Sequence, residues 1–235
     1  THDSANHRPV LSPDGRFMAF SSDRTVPRSL FRQSTDGSGA AERLLEAPYP
    51  HNPTSWSRDG RWLAFTESHP QRREDIWILA LDGNRAARPF LTTPYNERAA
   101  VFSPDGHWIA YTSDESGQVE VLITAFPGPG PRKAVSTGGG DLPLFSADGR
   151  TLFYRRGGQI LAAEIETTPD LTIGASRVAF DLPDAEGWGN MPFPVGPRAD
   201  RVLYTRAAGD APSPATTVQI VVNWFEELRR LTAAR

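Results

Sequence analysis

One motif recurs along the 235-residue chain and constrains the fold more than any other feature. The segments LSPDGRFMAF from Leu11, WSRDGRWLAF from Trp56, FSPDGHWIAY from Phe102 and FSADGRTLFY from Phe145 align without gaps, and VGPRADRVLY from Val195 is a decayed fifth copy. Their closing aromatics, Phe20, Phe65, Tyr111, Tyr154 and Tyr204, are 45, 46, 43 and 50 residues apart. That period suits one four-stranded propeller blade, although helical repeats have similar periods. Turn chemistry decides between them. In Ser12-Pro13-Asp14-Gly15 the proline presets φ for the first corner, and the glycine can take the positive φ that closes a tight hairpin. The residues that follow are apolar on both faces of a period-two strand, Met18 and Phe20 against Phe17 and Ala19. A strand sandwiched between neighbouring sheets has that pattern.

Each unit continues in the same order. After the aromatic comes a polar loop such as 68–75, then a third strand such as 75–80, then a hairpin turn at Asp36-Gly37 or Asp82-Gly83. Short fourth strands are expected at 42–45, 88–91, 133–136 and 177–181. The chain therefore reads as all-β, a single β-propeller domain over 1–235 with about five four-stranded blades at 7–47, 51–93, 97–137, 141–182 and 190–224. The last blade is incomplete. Its third strand, 218–224, runs into a short C-terminal helix at 224–232, where Asn223 and Glu226 form a capping box and Trp224, Leu228 and Leu231 share a stripe. An outer strand is missing there, so the edge at 218–224 is expected to be open, covered by the helix or paired with another copy of the chain. The natural donor of that strand would precede Thr1, which leaves a six-bladed ring open.

Composition narrows the partners. A net charge of −3, from 25 basic and 28 acidic residues, gives no footprint for nucleic acid. The absence of cysteine removes disulfides, thiolate metal sites and Cys nucleophiles, and it suits an oxidising compartment. No apolar run approaches the length of a membrane span, so no direct membrane insertion is expected in this segment. With six Trp and twelve Phe the chain can bury a core without staples.

Few motifs suggest chemistry. Asp14, Asp59, Asp105 and Asp148 each precede a Gly at the same place in the repeat, so they read as turn residues and not as paired catalytic carboxylates or calcium ligands. The five histidines lack metal-ligand spacing, and Gly138-Gly139-Gly140 lacks the following helix of a phosphate cradle. No G-x-S-x-G elbow exists, and Arg72-Arg73, cancelled by Glu74 and Asp75, reads as a solvated loop. No catalytic residue, metal or cofactor is expected. Interest concentrates on the approach to each turn, because the strand before it should be the innermost one and should converge on one mouth of the central channel. Those approaches contain Arg8, His51, Asn52, Glu97, Arg98, Asp141, Trp188 and Asn190, which could hold a protein or peptide partner or a small polar ligand.

The repeated SPDG turn, the aromatic-ended strand and the Asp-Gly hairpin together resemble the TolB-like, or WD-repeat-like, propeller repeats, from about Arg8 to Trp224. The resemblance implies a propeller of the kind found in periplasmic TolB proteins, in prolyl-oligopeptidase-type peptidases and as C-terminal domains of bacterial Ser/Thr protein kinases. It favours a periplasmic or extracytoplasmic location, with the cytoplasm left open. It also implies a non-enzymatic interaction or ligand-sensing module, the C-terminal domain of a larger bacterial signalling or envelope protein. The alternative is a small-substrate enzyme of glycosidase or lactonase type, which would need carboxylates such as Glu97 and Asp141 in the channel. A third reading is an engineered or excised propeller fragment with no ligand.

Overall fold

The apolar strand after each repeated turn is held inside a sheet, flanked by a partner on either side. The computed structural model describes residues 5–182 apart from Ala47, Arg72, Asn84, Thr168 and Pro169. All of these lie in the first of two compact units, Thr1–Thr205; the second, Arg206–Arg235, lies outside the described residues. Four antiparallel sheets follow one another along the chain, each in sequential strand order. The first contains β1 (Asn6–Leu11), β2 (Phe17–Ser22), β3 (Ser29–Ser34) and β4 (Glu42–Arg43). The second contains β5 (His51–Trp56), β6 (Trp62–His69), β7 (Arg73–Ala80) and β8 (Ala87–Leu91). The third contains β9 (Glu97–Phe102), β10 (Trp108–Ser113), β11 (Glu120–Ala125) and β12 (Lys133–Ala134). The fourth contains β13 (Asp141–Phe145), β14 (Thr151–Arg156) and β15 (Gln159–Glu166), and its outer edge is shared by β16 (Thr172–Ile173) and β17 (Arg177–Asp181). Among the described residues the structure is all-β, and no helix is long and apolar enough to cross a membrane.

The first strands β1, β5, β9 and β13 lie side by side around a common axis, so the strand before each turn is the innermost one, as its sequence position predicts. Leu11, Trp56, Phe102 and Phe145 are the last residues of those strands, and β2, β6, β10 and β14 each lie inside their sheets. The two-faced apolarity of the second strands is spent on the seams. Ala19 and Leu30 of the first sheet pack on Leu63, Phe65 and Leu79 of the second. Ala64, Ile76 and Ile78 then face Ile109 and Tyr111 of the third. Ala110, Val121 and Ile123 in turn face Leu152, Tyr154 and Leu161 of the fourth. Leu63 and Ala64 thus serve opposite seams. Each large side chain buried this way contributes about 1.5–3 kcal/mol.

Two local expectations need correction. The segment expected as a polar loop at 68–75 is largely strand: Glu67 pairs with Asp75, Ser68 with Glu74 and His69 with Arg73. A ladder needs only backbone groups, so polar side chains prolong it where the hairpin leaves the core. Arg73, read as part of a solvated loop, starts β7 and ion-pairs with Asp114 at 3.4 Å. The outer strands are also shorter than expected in the first and third sheets, ending at Arg43 and Ala134. The outer strands of the four sheets carry Glu42, Arg43, Pro89, Lys133 and Arg177, which discourages pairing with another chain. The fifth repeat, the strand at 218–224 and the helix at 224–232 lie outside the described residues.

Candidate functional site

The repeated aspartates are consumed by the turns. In the first sheet the Ser12 hydroxyl donates to Asp14 and accepts from the Phe17 amide at 2.9 Å, while the Arg16 amide donates to Asp14 at 3.0 Å. The same hydrogen bonds recur at Ser57 and Asp59, Ser103 and Asp105, and Ser146 and Asp148. The serine bond, and then the backbone amide, hold Asp14 and Asp148 below the usual carboxylate range. Gly15, Gly60, Gly106 and Gly149 all have φ between 70 and 75°. These groups build hairpins, as their place in the repeat predicts.

At the other end of each inner strand the residues differ from sheet to sheet. Counting back from the turn serine, Asn6, His51, Glu97 and Gly140 are equivalent, followed by His7, Asn52, Arg98 and Asp141, then by Arg8, Pro53, Ala99 and Leu142. Of the first set, His51 and Glu97 point into the seams, while Asn6 is exposed. His51 is 0% exposed, its Nε2 3.1 Å from the Glu67 carboxylate and its ring edge-on to Phe65, while its amide donates to Arg28 O. Burial lowers its pKa against the opposing pull of Glu67. Glu97 is also 0% exposed and accepts from the Thr93 hydroxyl; burial, assisted by the charge of Asp75, raises its pKa. The expectation that His51 and Glu97 face an open mouth is therefore corrected. A seam residue has lost its water, and both groups are driven toward their neutral forms.

In the second set Asn52, Arg98 and Asp141 link neighbouring sheets, while His7 pairs with Asp23 beside its own sheet. Ser21 donates to Asn52 Oδ1 at 3.1 Å and to His51 O at 2.7 Å. Arg98, half-buried, bridges Asp141 of the fourth sheet at 3.3 Å and Glu74 of the second at 3.9 Å. Asp141 also accepts from Thr112 at 3.0 Å and from the Leu142 amide at 2.8 Å. The third set bulges. Pairing in every inner strand slips by a residue here, and Arg8, Ala99 and Leu142 take φ of 52–54°. Pro53, whose ring cannot adopt that φ, holds the equivalent position in the second sheet.

The bulges surround a cavity of about 370 Å³ on the axis. Pro9, Val10, Pro53, Val101, Leu142 and Pro143 give it an aliphatic wall, and Arg8, Thr54 and Arg98 supply polar groups. Of the sequence candidates, Arg8 and Arg98 line this cavity. Asn52 bonds to Ser21 and Asp141 to Arg98 between sheets, His51 and Glu97 are sealed in the seams, and Trp188 and Asn190 lie outside the described residues. Among the described residues no group of three or more His, Asp or Glu has a metal-binding arrangement.

The four-sheet arrangement around this cavity matches solved structures. TolB from Acinetobacter baumannii superposes with a TM-score of 0.68 at 20% identity over 88% of this chain and 50% of its own. The fold is that of the TolB-like β-propellers. This chain spans half the length of that TolB. An oligogalacturonate lyase in complex with manganese gives 0.63 at 13% identity, over 88% of this chain and 63% of the lyase. A nidogen/laminin complex gives 0.53 at 15% identity, over 67% of this chain and 59% of that one. No family model and no curated protein sequence matches the chain.

One structural role in this TolB-like propeller escaped sequence reasoning. Glu120, at the start of β11, is buried and accepts from Ser136 Oγ, from Gln118 Nε2 at 2.6 Å and from the amides of Gly138 and Gly139 at 2.8 and 2.9 Å. The triple-glycine loop is thus a cradle filled by the protein's own carboxylate. The signal was available: in each third strand a polar residue, Ser29, Asp75, Glu120 or Gln159, directly precedes the apolar run.

Proposed function

We propose that the chain is a protein-interaction module that takes a short segment of a partner protein into the axial cavity, entering past Arg8, Asn52, Arg98 and Asp141. The observation that carries this reading is the convergence of all four described inner strands on one mainly aliphatic cavity with polar groups at its rim, the usual character of a ligand site. Glu97 and Asp141, the carboxylates an enzyme of glycosidase type would need, are respectively sealed in a seam and ion-paired to Arg98, which favours binding over hydrolysis. The shared fold of TolB and the nidogen/laminin complex agrees with a binding role by analogy alone.

The test is selection of peptides from a random displayed library on the wild-type chain, followed by binding to Val10→Trp and Thr54→Trp, which plug the cavity. Selected peptides should bind either plugged variant at least about tenfold more weakly, with melting unchanged, because a filled pocket forfeits its contacts. Failure to select any peptide, or equal binding to both plugged variants, would overturn the reading.

A further inference from the structure

The geometry points to a partner segment that carries an acidic side chain within an apolar stretch, the carboxylate meeting Arg8; this rests on the axial reading above. Charge complementarity selects it. Two arginines line the cavity, and they are not equivalent. Arg98 is already compensated by Asp141 at 3.3 Å and Glu74 at 3.9 Å. Among the described residues Arg8 has no ion pair or side-chain hydrogen bond, and Asp23 is engaged by His7 at 3.2 Å and Arg28 at 3.3 Å. Among the described residues Arg8 is thus the uncompensated cation lining an aliphatic cavity, beside Pro9 and Val10.

Arg8 has φ of 52°, the bulge conformation it shares with Ala99 and Leu142. The bulge brings Arg8, an exposed residue, to the cavity lining. Low-dielectric walls strengthen a charge-assisted hydrogen bond placed there. An acidic side chain flanked by apolar residues satisfies both halves of the lining. A basic or wholly apolar segment leaves Arg8 desolvated and unpaired.

Peptides whose binding is lost on Val10→Trp are the probe. They should carry Asp or Glu inside an apolar stretch. Changing that residue to its amide, or Arg8→Gln in the protein, should each weaken binding about tenfold or more, while Arg8→Lys retains most of it. Combining the two changes should add little, as expected of a direct pair. Arg8→Glu should redirect selection toward peptides with Lys or Arg. Cavity-bound peptides without an acidic residue, or with affinity unchanged by Arg8→Gln, would overturn this inference and leave the axial reading standing. If no peptide is sensitive to Val10→Trp, both fall together.

Discussion

At its C-terminal end each inner strand enters a turn that is the same in all four described sheets, down to which serine hydroxyl meets which aspartate. Six residues earlier no two sheets agree: Asn6-His7-Arg8, His51-Asn52-Pro53, Glu97-Arg98-Ala99 and Gly140-Asp141-Leu142 hold equivalent places. The turn repeats because a four-stranded sheet needs the same hairpin each time, and few residues supply it. The mouth varies because backbone geometry there permits many side chains, so each sheet contributes a different group to the seams and the cavity. Residues that recur across the sheets explain the fold, and those that differ are where a particular function can be written.

The sharpest way to break this contrast is at a turn. Gly106 has φ of 75°, with nothing within 4 Å of an added Cβ, so a substitution there is opposed by backbone conformation and not by crowding. Gly106→Val should cost about 2–3 kcal/mol, because a β-branched residue is strongly disfavoured in that region. Denaturant unfolding measures it. A loss below about 0.5 kcal/mol would show that the turn tolerates what its repetition says it forbids.

How much of this was legible in the sequence follows the same division. The turns, the order of strands and the two-faced seams are spelled by Ser-x-Asp-Gly and by apolar runs such as Trp62-Leu63-Ala64-Phe65, where local chemistry leaves one answer. The mouth was read only to the nearest residue. His51 and Glu97 look like funnel residues because they are polar and open an inner strand, yet the side-chain alternation turns them into the seams. The bulges at Arg8, Ala99 and Leu142 leave no compositional trace, since Arg, Ala and Leu are not residues that announce a positive φ. The polar residues of the hairpin between β6 and β7 read as loop, although backbone pairing continues through Ser68 and His69.

A seam makes a second, smaller test, in its pH dependence. Burial holds His51 below its ordinary 6.5, so the folded chain binds fewer protons there than the unfolded chain once pH falls through that value. Its contribution to stability is complete above about pH 6.5 and declines as pH drops toward the folded pKa, by at most about 1.4 kcal/mol per pH unit. The facing charged groups are Glu67 on β6, which opposes the shift, and Arg43 on β4, which adds to it. Glu97 has the opposite sign: its raised pKa makes its burial less costly as pH falls. Comparing wild type with His51→Gln from about pH 8 to about pH 5.5 isolates the histidine. The wild type should lose more stability than the variant; parallel curves would mean that the seam accommodates the imidazolium.

The smallest expected effect lies at the mouth and has the reverse sign. Ala99 has φ of 52°, in the same left-handed region as the turn glycines, but with a Cβ. An L-residue spends about 1–2 kcal/mol to sit there, and glycine spends almost nothing. Ala99→Gly also raises the freedom of the unfolded chain, which returns roughly 0.5–1 kcal/mol of that advantage. The balance is a gain of about 0.5 kcal/mol, offset slightly by the methyl's partial packing beside Leu142 and Phe153. Glycine should therefore stabilise at Ala99, whereas its loss destabilises at Gly106, although both positions share one sign of φ. Denaturant midpoints of Ala99→Gly and wild type decide it. A clear destabilisation would mean that the bulge depends on the Ala99 side chain as strictly as the turn depends on lacking one, and the two ends of the inner strand would then be under the same kind of constraint.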